Sequence, residues 1–172
     1  MAADIELPTV EKNEALAAEV VRAATEAGLT VGTAESCTGG LVSGALTAIP
    51  GSSAAVRGGV VSYAVAVKDE VLGVPREVLD DPALGAVSAE CAEAMARGAR
   101  RVVGCDVAVS VTGIAGPGGA EPGKPVGTVW FGLATAGDTK TELRCFSGTR
   151  AEVRAKAVNV ALGLLLEGLV CA

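Results

Sequence analysis

A chain of 172 residues that is 50% hydrophobic, 2% aromatic and free of histidine is long enough for one domain with an aliphatic core, and it excludes any mechanism that needs an imidazole. Its net charge of −6 and pI near 4.7 exclude the basic face on which non-specific nucleic-acid binding depends. Charged residues interrupt every long apolar segment, so no run supplies the ~20 residues of a membrane helix; a mean hydropathy of +0.47 predicts instead a homo-oligomer, dimer or higher, that buries apolar surface between subunits.

Residues 1–9 begin a short acidic lead, expected to be flexible, without the basic-then-apolar order of a signal peptide. From Val10 to Ala27 apolar residues recur at helical spacing, and Gly28 supplies a stop. "LTVGTAE" (29–35) reads as a buried strand, and Thr38 to Ile49 as a helix with Gly39 and Gly40 in its first turn. "PGSSAAVRGG" (50–59) reads as loop, "VVSYAVAV" (60–67) as a β-rich run leading to Lys68, and "KDEVLGV" (68–74) as a short helical piece. After a connection over 75–87, Ser88 is an N-cap for a helix reaching about Val103. "CDVAVSVT" (105–112) is a buried strand that opens into the glycine- and proline-rich stretch 113–127. Two strands over 128–148 form a hairpin turned at Gly137-Asp138, and a last helix runs from about Thr149 to Leu169. Helices alternating with strands predict an α/β fold: a single layered domain over 1–172 with a mixed, mostly parallel sheet flanked by helices.

The chemistry concentrates in "TAESCTGG" (33–40), where Ser36 and Cys37 sit at a strand-to-helix turn. A serine hydroxyl needs a base, and without histidine the remaining candidates are a carboxylate, a thiolate or a lysine of depressed pKa. Lys12 and Lys156 fall on polar helix faces and Lys140 beside a hairpin turn, which leaves Lys68 first and Lys124, in the glycine-rich loop, second. The ordinary alternative for Lys68 is a surface lysine at a helix start. Ser36 has one too, as the N-cap of the following helix. Either way, the amides around Thr38, Gly39 and Gly40 offer a spot for an oxyanion or phosphate. Thr112 and the glycines from Gly113 to Gly119 offer another. Both spots follow strands, where open α/β sheets bind ligands. Cys37 competes as a nucleophile if a helix N-terminus lowers its pKa, or else packs in the core. Glu35 orients a base or caps an amide. The five cysteines form no CxxC pair, so free thiols in a reducing cytoplasm, and no metal site, are expected.

The blocks "TAESCTGGLVSGALTAIPGSS", "GGVVSYAVAVKDEVLGV", "GAVSAE", "SVTGIAGPGG", "KPVGTVWFG" and "CFSGTR" resemble, in order and spacing, the CinA C-terminal domain family over about Leu16 to Leu169. The resemblance implies a cytoplasmic hydrolase needing neither metal nor cofactor, which converts nicotinamide mononucleotide and water to nicotinate mononucleotide and ammonia. It implies Ser36 as nucleophile and Lys68 as base, in agreement with the elimination above. It places Tyr63, Thr112 and Arg150 on motif positions, with Thr112 and loop amides such as that of Gly113 toward an oxyanion and Arg150 toward the phosphate. Glu35, Cys37, Thr38, Gly39 and Gly40 fall in the same substrate-binding block. Many relatives read Ser-Asn where this chain has Ala64-Val65, a change compatible with a binding module that kept the pocket and lost the chemistry. Longer relatives also carry an N-terminal domain with a separate pyrophosphatase activity, which a short acidic lead is not expected to supply.

Overall fold

A computed structural model describes residues 10–172; the expected flexible lead lies outside the described residues. In chain order the elements are α1 (Val10–Ala27), β1 (Val31–Glu35), α2 (Leu41–Thr47), a 3-10 turn (Ser52–Ala54), β2 (Val56–Val61), α3 (Val65–Glu70), α4 (Arg76–Leu79), α5 (Ala89–Val103), β3 (Val107–Gly113), β4 (Thr128–Ala134), β5 (Thr139–Cys145) and α6 (Arg150–Cys171). The strands form one five-stranded sheet in the order β2-β1-β3-β4-β5. β2, β1 and β3 run parallel, and β4 and β5 complete the sheet antiparallel. The α/β fold with a mixed sheet expected from the sequence is the fold observed.

Alternation along β3 sorts the two layers of helices. Val107, Val109 and Val111 join the core shared with α1, α2 and α6, whereas Ala108 joins the core under α5. Ser110 also points to the α5 side, where its hydroxyl donates to Ala92 O at 2.6 Å. Gly132 on β4 lets α5 approach the sheet, since a Cβ there would collide with Ala92 O. The expected cap is present, Ser88 Oγ accepting from the Cys91 amide at the start of α5, and the structure adds a capping box of Thr149 with Glu152 at the start of α6.

Three readings change. β2 begins at Val56, inside the stretch taken as loop, because Gly58 and Gly59 are strand residues: a Cβ on Gly59 would collide with Thr33 Oγ1 and Ser43 Oγ. The run "VVSYAVAV" is not one strand; β2 ends at Val61 and the chain turns into α3 at Val65, so Lys68 leaves a helix rather than a strand. The helix expected from Thr38 begins only at Leu41, behind a turn in which Gly39 and Gly40 have φ of 60° and 98°, a region glycine enters without strain.

Candidate active site

The three parallel strands end together. Ser36 follows β1, Ser62 and Tyr63 follow β2, and Thr112 and Gly113 close β3. These segments, with Arg150 from the first turn of α6, surround a cavity of about 210 Å³. Lys68 reaches it from α3. Its side chain is among the largest fully buried in the chain, at 1% exposure, and its Nζ lies 2.9 Å from Ser36 Oγ while donating to Ser62 O at 2.5 Å. Burial pushes the Lys68 pKa down from 10.5, opposed by the charge that Cys91 and Cys37 carry only when ionised. The surface alternative for Lys68 is thereby excluded.

Glu35, fully buried at the end of β1, turns its carboxylate away from this dyad. Its Oε2 accepts from the amides of Gly40 and Val42, both at 3.0 Å, and its Oε1 from that of Ser43 at 2.8 Å. Glu35 is therefore the cap of α2, and Ser36 is not; Gly40 holds the N-cap position without a side-chain bond of its own. The same bonds narrow a second expectation. The amide of Gly40 is taken by Glu35 and that of Gly39 by Ser36 O, so of the three amides in the expected anion spot that of Thr38 is left without a protein acceptor among the described residues.

Cys37 lines the cavity but is 5% exposed, and desolvation by burial raises its pKa to about 11. At neutral pH it is a thiol, because desolvation outweighs the lowering by its own backbone amide, Lys68 and Arg154. Thr112 Oγ1 donates to Ala86 O at 2.6 Å, so its proton is committed to a backbone carbonyl. Arg150 bridges the rim, donating to Gly116 O at 2.9 Å and to Tyr63 Oη at 3.2 Å. Tyr63 is 63% exposed at the mouth.

The model of the CinA C-terminal domain matches residues 13–169. The chain belongs to this family. A CinA-like protein of Syntrophotalea carbinolica is 46% identical over 149 residues, covering 87% of this chain and 36% of the relative. Another, from Mycolicibacterium gilvum, is 51% identical over 148 residues, or 86% of this chain and 35% of the relative. The chain thus spans about a third of the length of these curated relatives. Among solved structures, competence damage-inducible protein A of Klebsiella pneumoniae superposes with a TM-score of 0.87 at 42% identity, covering 92% of this chain and 97% of that one. The competence/damage inducible protein of Agrobacterium tumefaciens gives 0.87 at 43%, covering 94% and 97%.

Of the residues singled out in the sequence of this CinA-family chain, the cavity gathers Ser36, Cys37, Tyr63, Lys68, Thr112, Gly113 and Arg150. Glu35, Thr38, Gly39 and Gly40 form the turn behind it. Lys124 is not a second base at the cavity: its Nζ donates to Leu84 O at 2.5 Å and pairs with Glu121 at 3.2 Å. Sequence reasoning gave no role to Ala86, Val87 and Ala115, which supply apolar wall, nor to Arg154, which bonds the turn after Ser36. Arg154 stands four residues after Arg150 on α6, and that one-turn spacing was the available signal. Among the described residues no helix is long and apolar enough to cross a membrane.

Proposed function

We propose that this CinA-family chain is an amidohydrolase that converts nicotinamide mononucleotide and water to nicotinate mononucleotide and ammonia, as a step in pyridine-nucleotide recycling, with Ser36 as nucleophile and Lys68 as its base. The observation that carries this reading is the 2.9 Å approach of Lys68 Nζ to Ser36 Oγ on a buried amine. Removal from water favours the neutral amine, and a neutral Nζ at that distance accepts the serine proton. Family membership and the sequence blocks supply the substrate.

In this mechanism the pyridine carboxamide enters between the dyad and the wall of Ala86, Val87 and Ala115, while the ribose phosphate stays at the mouth by Arg150. Ser36 Oγ attacks the amide carbon and its proton passes to Lys68. Backbone amides hold the tetrahedral oxyanion, at about 2.7–4 kcal/mol per donor. The C–N bond breaks as Lys68 returns the proton to the leaving nitrogen, releasing ammonia and an acyl ester on Ser36. Water then gives its proton to Lys68 and attacks the ester, and Ser36 leaves as the hydroxyl with that proton. No cofactor or metal enters these steps.

The test is ammonia release from nicotinamide mononucleotide by the wild type beside Ser36→Ala. Release that the variant abolishes is expected; release undiminished in the variant rules out the serine. A second reading has one observation in its favour. Val65 stands on the cavity wall where many relatives carry asparagine, which suits a module that binds the nucleotide without hydrolysing it. A nucleotide-dependent rise in Tm with no ammonia would select that reading.

A further inference from the structure

We propose, resting on the serine reading above, that Arg154 is a positioning residue for the reaction: it orients the Cys37–Thr38 peptide beside Ser36 so that the Thr38 amide is held ready for the oxyanion. Arg154 lies on α6 one turn beyond Arg150, yet it is not part of the cavity wall. Its side chain borders a separate groove between α1, α2 and α6, so it does not touch a molecule bound at the dyad. Its Nε donates to Cys37 O and its Nη2 to Thr38 O, both at 3.1 Å. One planar fork thus grips two successive carbonyls, a geometry that arginine presents preformed and lysine does not.

The rest of the turn shows why this grip matters. The Ser36 amide donates to Val111 O at 2.8 Å and the Gly39 amide to Ser36 O at 3.1 Å. The Glu35 carboxylate holds Gly40, Val42 and Ser43. Between these anchors lie Cys37 and Thr38, followed by two glycines whose backbones resist little; the Thr38 carbonyl also accepts from the Leu41 amide at 3.2 Å, whereas Arg154 is the partner that ties both carbonyls to α6. A trans peptide is planar, so a Cys37 carbonyl aimed at Arg154 sends the Thr38 N–H the opposite way. Among the described residues that amide has no protein acceptor, and the buried Thr38 hydroxyl has no partner either. A guanidinium on the carbonyl side also polarises the peptide and strengthens its N–H as a donor.

The experiment compares wild type, Ser36→Ala, Arg154→Gln and Arg154→Lys in ammonia release from nicotinamide mononucleotide, well below each Tm. Arg154→Gln should lower kcat by about 10- to 100-fold, with KM within about twofold and the pH midpoint of kcat unmoved. Arg154→Lys should fall between it and wild type, and it keeps the test open if the glutamine variant does not fold. Equal kcat in wild type and Arg154→Gln overturns the inference alone, as does a shifted pH midpoint, which would mean action on Lys68. A wild type that releases no ammonia beyond Ser36→Ala overturns the serine reading, and the inference with it.

Discussion

At the scale of single residues, Lys68 makes the sharpest statement. Folding takes its amine out of water, and its two hydrogen-bond partners, Ser36 Oγ and Ser62 O, are neutral. Its pKa falls below 10.5 in the folded state, so between that depressed value and 10.5 the unfolded chain binds the extra proton. Stability contributed at this site therefore rises with pH across that window. Replacing Lys68 with Met removes the burial penalty. The stability of Lys68→Met relative to wild type should be most favourable below the depressed pKa and should decline toward pH 10.5. Urea denaturation at several pH values checks this, and a difference independent of pH would contradict it. Cys37 gives a second residue-level test. As a thiol with a pKa near 11 it is a poor nucleophile at neutral pH, so Cys37→Ala should keep kcat within a few-fold of wild type while losing about 1–2 kcal/mol of packing. Loss of all turnover in that variant, with the fold retained, would shift the chemistry to sulfur.

At the scale of elements, two helix starts control the site. The buried Glu35 carboxylate satisfies three amides around the start of α2, and Glu35→Ala should cost about 3 kcal/mol, a fall in Tm of about 6–12 °C for a chain this size. α3 carries Lys68 from an N-cap, Ala64, that makes no side-chain bond. Ala64→Ser should supply that bond and stabilise the protein by about 1 kcal/mol, read as a rise in Tm of a few degrees. These helices also show what the sequence makes legible. α1, α5, β3, the β4–β5 hairpin and α6 could be read because periodicity, caps and turn residues agree along each segment. β2 was hidden because its glycines, normally loop signals, are there to let the strand lie against Thr33 and Ser43. α3 was hidden because valines in a short apolar run favour strand until tertiary packing decides otherwise. For the site, elimination found Lys68 and the chain order found Ser36. The burial of Lys68, the capping by Glu35 and the grip of Arg154 depend on contacts 5 to 117 residues apart, set by how the chain folds back rather than by helix or strand periodicity.

At the scale of the molecule, the parallel half of the sheet brings three strand ends together, and the antiparallel half supplies Val129 and Phe131 to the core behind them. Leu41, Val61, Tyr63 and Val65, on segments that flank the cavity, remain exposed. A homo-oligomer that covers such apolar surface is still our expectation, and light scattering should give a mass at least twice the 16.9 kDa of the chain; a 16.9 kDa species at working concentration would contradict it. The central claim is narrower: we propose that a serine is activated by a lysine whose charged form folding disfavours. The direct measurement is the titration of Lys68 Nζ by NMR on 15N-lysine protein, set beside the pH dependence of kcat for ammonia release. The account predicts one shared midpoint, below 10.5. A Lys68 that stays charged throughout the pH range in which the enzyme turns over would contradict it.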